Sequence, residues 1–302
     1  MTPRTIDANG IKLAIEDHGP QDAPPLILIR GLGTQMAHWV PELVEGFVAK
    51  GFRTVIFDNR DVGLSQRCPS PDAPGDADAI LALLKQGQPL PAAYGIDDMA
   101  RDVTGLMDAL GIARAHVFGI SMGGMIAQQL VLQAPGRLLS ATIVMSACRP
   151  MSERLSGGAA ALAERASLLL TRPRDRAAYI DAQVGEHAIW GSPGFPMPEP
   201  AIRAMAERAW SRGIDPEGMN RQLLAALHAP DRRPGLAQAA LPCLVIHGED
   251  DALVPLELGA EIADIIPGAE FRAVAGMGHI ITPSLAPVLV DMVADFVSRR
   301  AG

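Results

Sequence analysis

"HVFGISMGGMIAQQL", residues 116–130, joins an apolar, strand-like run to a helical pattern through the segment Gly-Ile-Ser-Met-Gly. Such a tight strand-to-helix turn predicts a strained backbone at its central residue, Ser121, and the flanking glycines let neighbouring chain approach without a Cβ clash. The turn would present the Ser121 hydroxyl above the sheet, at the positive end of the following helix. The alternative is a glycine-rich turn in which Ser121 only caps that helix.

A nucleophilic serine needs a base within hydrogen-bond reach and a carboxylate that orients this base. The segment "GMGHII" places His279 in a loop after the last predicted strand, where the base stands when the chain order is serine, acid, histidine. The loop "VIHGEDDALVP" offers Glu249, Asp250 and Asp251, and we expect Asp251 to be the acid. A calcium site in this acidic cluster is the rival interpretation, but the loop lacks a regular alternation of oxygen ligands.

Acyl transfer also needs N–H donors aimed at the oxyanion of the tetrahedral intermediate. The N–H of Met122, next after the serine, is one candidate. The second is Leu32 in "RGLGTQ", where the alternative is a plain tight turn. We expect the substrate pocket to be bordered by Gly31 of this loop, by Met145, an adaptable apolar side chain, and by Trp190. No metal site is expected.

Short β-rich apolar runs alternate with helical patterns along much of the chain. Several runs are apolar on both faces, which is typical of strands covered by helices on both sides. The runs lie at residues 25–30, 53–58, 115–120, 140–147, 243–248 and 270–276. This alternation predicts an α/β fold with a mostly parallel twisted sheet and helices on both faces. The dipeptide Asn9-Gly10 predicts an antiparallel hairpin at the start of the sheet.

The alternation stops between residues 149 and 235, where Ala-rich helical pieces are separated by Pro-rich segments. We therefore predict a core domain made of residues 1–148 and 236–302, interrupted by a helical cap or lid at 149–235. The cap would cover the strand ends, where open α/β sheets bind ligands.

Composition excludes several partners. The 302 residues carry a net charge of -8, with 26 basic and 34 acidic side chains, so no basic field is available for nucleic acid. Cys68, Cys148 and Cys243 lack metal or redox spacing and are expected to be free thiols in a reducing compartment. No apolar run is long enough to span a bilayer. We expect a cytoplasmic protein without a membrane or nucleic-acid partner.

The motifs "RGLG", "FDNRDVGLS", "GISMGG", "GEDDALVP" and "GMGH" together resemble those of capped α/β-hydrolases. The chain is similar to small bacterial carboxylesterases and to the anthracycline methylesterase branch. The resemblance implies the α/β-hydrolase fold, with Ser121 as nucleophile, Asp251 as acid and His279 as base. The chain departs from the family pattern at Arg30, where the family usually has histidine, and at Asp61, where the family has glycine.

The expected activity is hydrolysis of carboxylic esters of small, fairly hydrophobic substrates through an acyl-enzyme, without a metal or organic cofactor. The expected partner is thus a small-molecule ester, and homodimer formation is left open. The same triad also serves lactonases, amidases, carbon–carbon bond hydrolases and cofactor-free perhydrolases. A hydrolase-like small-molecule receptor is the alternative outside the enzymes.

Overall fold

Eight strands form one sheet in the computed structural model, which describes residues 3–150, 170 and 175–300. The strands are β1 (Arg4–Ala8), β2 (Ile11–His18), β3 (Pro25–Ile29), β4 (Arg53–Phe57), β5 (Ala115–Ile120), β6 (Leu138–Val144), β7 (Cys243–Gly248) and β8 (Glu270–Val274). Their order across the sheet is β1-β2-β4-β3-β5-β6-β7-β8. Strand β2 pairs antiparallel with β1 and β4, and all other neighbours are parallel. The predicted mostly parallel sheet is confirmed.

The hairpin between β1 and β2 forms at the predicted dipeptide. Asn9 has a φ of 50° and Gly10 a φ of 76°. Positive φ at both central residues is what the two-residue type I′ turn requires, and its twist matches that of the paired strands.

Helices cover both faces of the sheet. They are α1 (Pro41–Ala49), α2 (Ala77–Lys85), α3 (Ile96–Ala109), α4 (Met122–Gln133), α5 (Arg176–Trp190), α6 (Glu199–Ser211), α7 (Pro216–Leu227), α8 (Arg233–Leu236), α9 (Leu256–Ile265) and α10 (Ala286–Ser298). Short 3-10 helices lie at Met36–His38 and Pro135–Arg137. No helix among the described residues is long and apolar enough to cross a membrane.

Two buried apolar clusters, one on each face of the sheet, form the core. Strand β3 shows how alternation divides its side chains: Leu26 and Leu28 join one cluster, whereas Ile27 and Ile29 join the other. Helices α1 and α10 pack on the face of Leu26, and α3, α4 and α9 pack on the face of Ile27. Because both faces are covered, nearly continuous apolar strands are required.

The helices α5 to α8, here called the cap helices, lie between β6 and β7 in the chain. The parts of the predicted cap at residues 151–169 and 171–174 lie outside the described residues. Arg232 falls within the predicted cap, yet its side chain is buried against the core. Its Nε donates to Gln128 at 2.9 Å, and its Nη2 donates to the Ala147 carbonyl at 2.8 Å.

Two buried ion pairs hold the cap helices against the loop after β4. Arg212 Nη2 donates to Asp58 Oδ2 at 2.5 Å, and Arg221 donates to both carboxylate oxygens of Asp61 at 2.7 and 3.0 Å. Both carboxylates are fully buried. Since a buried charge that loses its partner is costly, these contacts fix where the cap helices sit.

Candidate active site

Ser121 stands at the sharp turn between β5 and α4, with φ 54° and ψ −119°. A non-glycine residue in this region is strained and persists only when its surroundings hold it. The Ser121 N–H donates to the Val144 carbonyl at 2.9 Å, and Ser146 Oγ donates to the Ser121 carbonyl at 2.8 Å. The neighbouring strand β6 and the residues after it therefore fix the turn.

Glycine is required on both sides of this serine. A Cβ at Gly119 would lie 2.2 Å from the Gly123 carbonyl oxygen, and one at Gly123 would lie 2.1 Å from the Ile29 carbonyl oxygen. Any larger residue would push the helix away from the sheet. The spacing noticed in the sequence thus has a steric cause at both positions.

The structure brings the three predicted triad residues together. His279 Nε2 lies 3.0 Å from Ser121 Oγ, and His279 Nδ1 lies 2.7 Å from Asp251 Oδ2. An ionised carboxylate only accepts, so Nδ1 carries the imidazole proton and Nε2 offers its lone pair to the serine hydroxyl. The three side chains follow β5, β7 and β8, which end at the same edge of the sheet.

Asp251 is held as a carboxylate. Its Oδ1 accepts the N–H groups of Leu253 and Val254 at 2.9 and 2.8 Å. Burial alone would raise the pKa of Asp251, but hydrogen bonds from His247 and His279 outweigh it and hold the pKa well below its usual range. A charged Asp251 can then orient His279 and stabilise an imidazolium.

The neighbouring acids point elsewhere. Asp250 is exposed and its Oδ2 accepts the Gly276 N–H at 2.9 Å, while Glu249 is also exposed. In the described part of the chain, no group of three or more His, Cys, Asp or Glu residues is arranged to hold a metal ion.

His247 lies directly behind the acid. No local signal in the sequence distinguishes it from other strand residues. Its Nε2 donates to the Val254 carbonyl at 2.8 Å and lies 3.5 Å from Asp251 Oδ2. A Cβ at Gly259 would lie 2.1 Å from His247 Nδ1, so glycine on α9 leaves the space for this ring. His247 therefore ties together the turn that carries Asp251.

The loop after β3 forms a turn beside the serine. Thr34 N–H donates to the Gly31 carbonyl at 3.4 Å, and Gly33, the third residue of the turn, has φ 64°, as a type II turn requires. Thr34 Oγ1 also donates to the Gly31 carbonyl, at 2.9 Å. In a trans peptide the C=O and the following N–H point in opposite directions, so this contact aims the Leu32 N–H away from Thr34.

Both predicted oxyanion donors, the N–H groups of Leu32 and Met122, lack an acceptor among the described residues. Met122 is the first residue of α4, where an N–H has no partner inside the helix. Gly31 approaches Ser121 closely, since a Cβ there would lie 3.2 Å from Ser121 Cβ.

A cap helix holds this loop through Gln222, which sequence reasoning missed. Gln222 is fully buried on α7; its Oε1 accepts the Gly33 N–H at 2.9 Å and its Nε2 donates to the Arg60 carbonyl at 2.7 Å. Met219, one turn earlier, packs on Gly33, where a Cβ would lie 2.8 Å from its Cγ. The bonds from Gln222 cross 189 and 162 residues of sequence, so no local pattern could predict them.

The three predicted pocket residues lie in different environments. Gly31 adjoins the nucleophile as described above. Trp190 is partly buried, and its backbone carbonyl accepts the His279 N–H at 2.8 Å. Met145, with φ 48°, is fully buried within the apolar cluster on the face of Leu26. Substrate contact by these residues stays a prediction.

Known proteins are similar to this chain over most of its length. The family described as alpha/beta hydrolase fold matches residues 24–283. One relative is RutD of Variovorax paradoxus (strain S110), a protein named as a carbamate hydrolase. It is 31% identical over 289 residues, and the alignment covers 95% of this chain and 96% of RutD. Rhodomycin D methylesterase DnrP of Streptomyces peucetius is 27% identical, and the alignment covers 93% of each chain.

A solved structure has the same fold. The enol-lactonase from Burkholderia xenovorans LB400 matches with a TM-score of 0.68 over 98% of this chain and 100% of that chain, at 24% sequence identity. The resemblance expected from the motifs is confirmed by the family match and by the sheet topology. The chain belongs to the alpha/beta hydrolase fold family.

Proposed function

We propose that this protein is a serine hydrolase that cleaves carboxylic esters of small, fairly hydrophobic molecules through an acyl-enzyme. The observation that carries the proposal is the continuous chain of short contacts from Ser121 Oγ through His279 to Asp251, at 3.0 and 2.7 Å. A serine, a neutral imidazole and a buried carboxylate in this order are the parts that nucleophilic acyl transfer needs.

In the first half-reaction, Ser121 Oγ attacks the acyl carbon while its proton passes to His279 Nε2. The N–H groups of Leu32 and Met122 stabilise the oxyanion that forms. When the tetrahedral intermediate collapses, the bond to the leaving oxygen breaks and the alcohol departs with the proton from His279. Asp251 stays ionised and orients the imidazolium throughout.

In the second half-reaction, water replaces the alcohol. His279 Nε2 takes a proton from water as its oxygen attacks the acyl carbon, and the collapse of the second intermediate returns that proton to Ser121 Oγ and releases the acid. Names of relatives support cleavage at an acyl carbon, since both a methylesterase and a carbamate hydrolase act there.

Steady-state hydrolysis of 4-nitrophenyl acetate, butyrate and octanoate tests the proposal. We expect the wild type to turn over repeatedly and Ser121→Ala to lose roughly three orders of magnitude in kcat. Ser211→Ala, an exposed serine on α6, is the matched control and should behave as wild type. Release of one equivalent or less, without turnover, would contradict the proposal and favour a small-molecule receptor.

A further inference from the structure

Arg30 is a partly buried cation at the start of the oxyanion loop. Its Nε donates to Thr34 Oγ1 at 3.2 Å, and its guanidinium lies over the ring of Trp39, 4.5 Å from the ring centroid. Within the described ranges, no carboxylate pairs with Arg30, and its Nη1 and Nη2 donate to no other residue. Burial lowers the pKa of Arg30 to about 9. Both terminal nitrogens of the guanidinium, Nη1 and Nη2, are available for a ligand.

Other arginines of this region are already paired. Arg221 and Arg212 bind the buried carboxylates described above. Arg203, exposed on α6, pairs with Glu199 and Asp181 at 2.7 and 2.9 Å. Protein carboxylates thus occupy these cations but leave Arg30 without one.

Two further buried polar atoms also lack a partner among the described residues. These are Nε1 of Trp39 and Nε2 of His187 on α5. His187 Nδ1 donates to the Gln183 carbonyl at 2.8 Å, so Nε2 carries the lone pair and can accept a hydrogen bond. Burial, and to a smaller extent the charge of Arg30, lowers the pKa of His187.

This cluster adjoins the triad on both sides. Arg30 directly precedes Gly31, which borders Ser121. His187 lies on the last turn of α5, three residues before Trp190, whose carbonyl accepts the His279 N–H. A molecule whose carboxylate binds Arg30 therefore has its other end near Ser121.

We propose that Arg30, supported by the ring of Trp39, forms a subsite for a carboxylate of the substrate, so that the enzyme acts on monoesters of dicarboxylic acids. The two terminal nitrogens of Arg30, Nη1 and Nη2, match the two oxygens of a carboxylate. The Trp39 ring packs against the guanidinium, with the ring centroid 4.5 Å from its central carbon. This inference rests on the proposed ester hydrolysis and names its substrate class.

The test compares two esters of similar length, 4-nitrophenyl hydrogen adipate and 4-nitrophenyl hexanoate, after subtraction of spontaneous hydrolysis. We expect the wild type to show a higher kcat/KM for the adipate ester. In Arg30→Met the ratio of the two kcat/KM values should fall roughly 10-fold or more. Arg30→Lys, which keeps the charge but not the two-donor geometry, should lie between. Arg203→Met is the control and should keep the wild-type ratio.

Calorimetric titration of adipate into Ser121→Ala gives a readout without turnover, and Arg30→Met in that background should weaken binding. The inference is overturned if the wild type shows no preference for the adipate ester, or if Arg30→Met lowers both esters equally, which would make Arg30 a support of Thr34 only. The wild-type comparison decides even if Arg30→Met fails to fold. If neither ester is hydrolysed, the proposed function fails, whereas turnover of hexanoate alone overturns the carboxylate subsite.

Discussion

Replacing Gln222 by leucine tests whether a cap helix sets the geometry of the loop after β3, which carries the predicted oxyanion donor Leu32. Leucine has a similar size but cannot bond Gly33 or Arg60. The Arg60 carbonyl would stay buried without a partner, which costs about 2 kcal/mol, and the partly buried Gly33 N–H would lose about 1 kcal/mol. We expect Gln222→Leu to be less stable by about 3 kcal/mol.

The same change should slow catalysis without weakening substrate binding. Loss of an entire oxyanion donor costs roughly 10²- to 10³-fold in kcat, and a displaced loop should cost a fraction of that, roughly 10-fold. Because Gln222 bonds only to backbone of the two loops, KM should change little.

Calorimetry and steady-state kinetics with a 4-nitrophenyl ester measure both effects. A destabilisation of about 3 kcal/mol in a chain of this size lowers Tm by roughly 5 °C. Gln88→Leu, an exposed glutamine after α2, is the matched control and should leave Tm and kcat unchanged. If Gln222→Leu melts with the wild type and keeps its kcat, the cap does not position this loop and the reasoning is refuted.

Three further changes test other parts of the structure. Asp251→Asn should lower kcat roughly 10³- to 10⁴-fold, whereas Asp250→Asn should leave it nearly unchanged; the reverse order in ester hydrolysis would make Asp250 the acid. Burial, and to a smaller extent the charge of Arg114, lowers the pKa of His116 to about 4. Between about pH 6.5 and 4, the unfolded chain therefore binds a proton at His116 that the folded protein does not. The free energy of unfolding should therefore fall by about 2–3 kcal/mol across this window because of His116, and urea denaturation of His116→Gln should show a correspondingly smaller loss. Asp61→Gly restores the family residue at a position with φ 72° but removes the buried carboxylate that Arg221 binds through two nitrogens, which leaves Arg221 only the longer contacts with Asp215 at 3.4 Å and Glu217 at 4.0 Å. It should therefore destabilise the protein by about 3 kcal/mol, and denaturation at the wild-type urea midpoint would contradict this.

Local patterns predicted the sheet and the turn of the nucleophile because their causes are local. Asn9-Gly10 can adopt positive φ at both residues, and only glycine fits at Gly119 and Gly123. Each of these requirements acts within a few residues, so the sequence displays it directly.

The start of the first helix has a local cause in the sequence. The structure has a 3-10 turn at Met36–His38 and begins α1 at Pro41. Val40 is extended, with φ −69° and ψ 138°. A residue before proline avoids the helical region, and proline fits the first turn of a helix, so the break has a clear cause.

Contacts between the cap and the core could not be predicted in this way. Asp61 pairs with Arg221, which lies 160 residues away in the sequence. Gln222 accepts the N–H of Gly33 in the loop after β3, at a separation of 189 residues. Both depend on how the cap helices pack on the strand ends. Arg30 differed visibly from the family's histidine, but only the structure shows that no carboxylate among the described residues pairs with its guanidinium.

Location of the covalent adduct tests the central claim most directly. The protein is treated with a fluorophosphonate probe, digested and analysed by mass spectrometry, with Ser121→Ala and the exposed-site control Ser211→Ala in parallel. Our account predicts one adduct, on Ser121, in the wild type and in Ser211→Ala, and none in Ser121→Ala. An unlabelled Ser121 in a folded wild-type protein that still hydrolyses esters would contradict it.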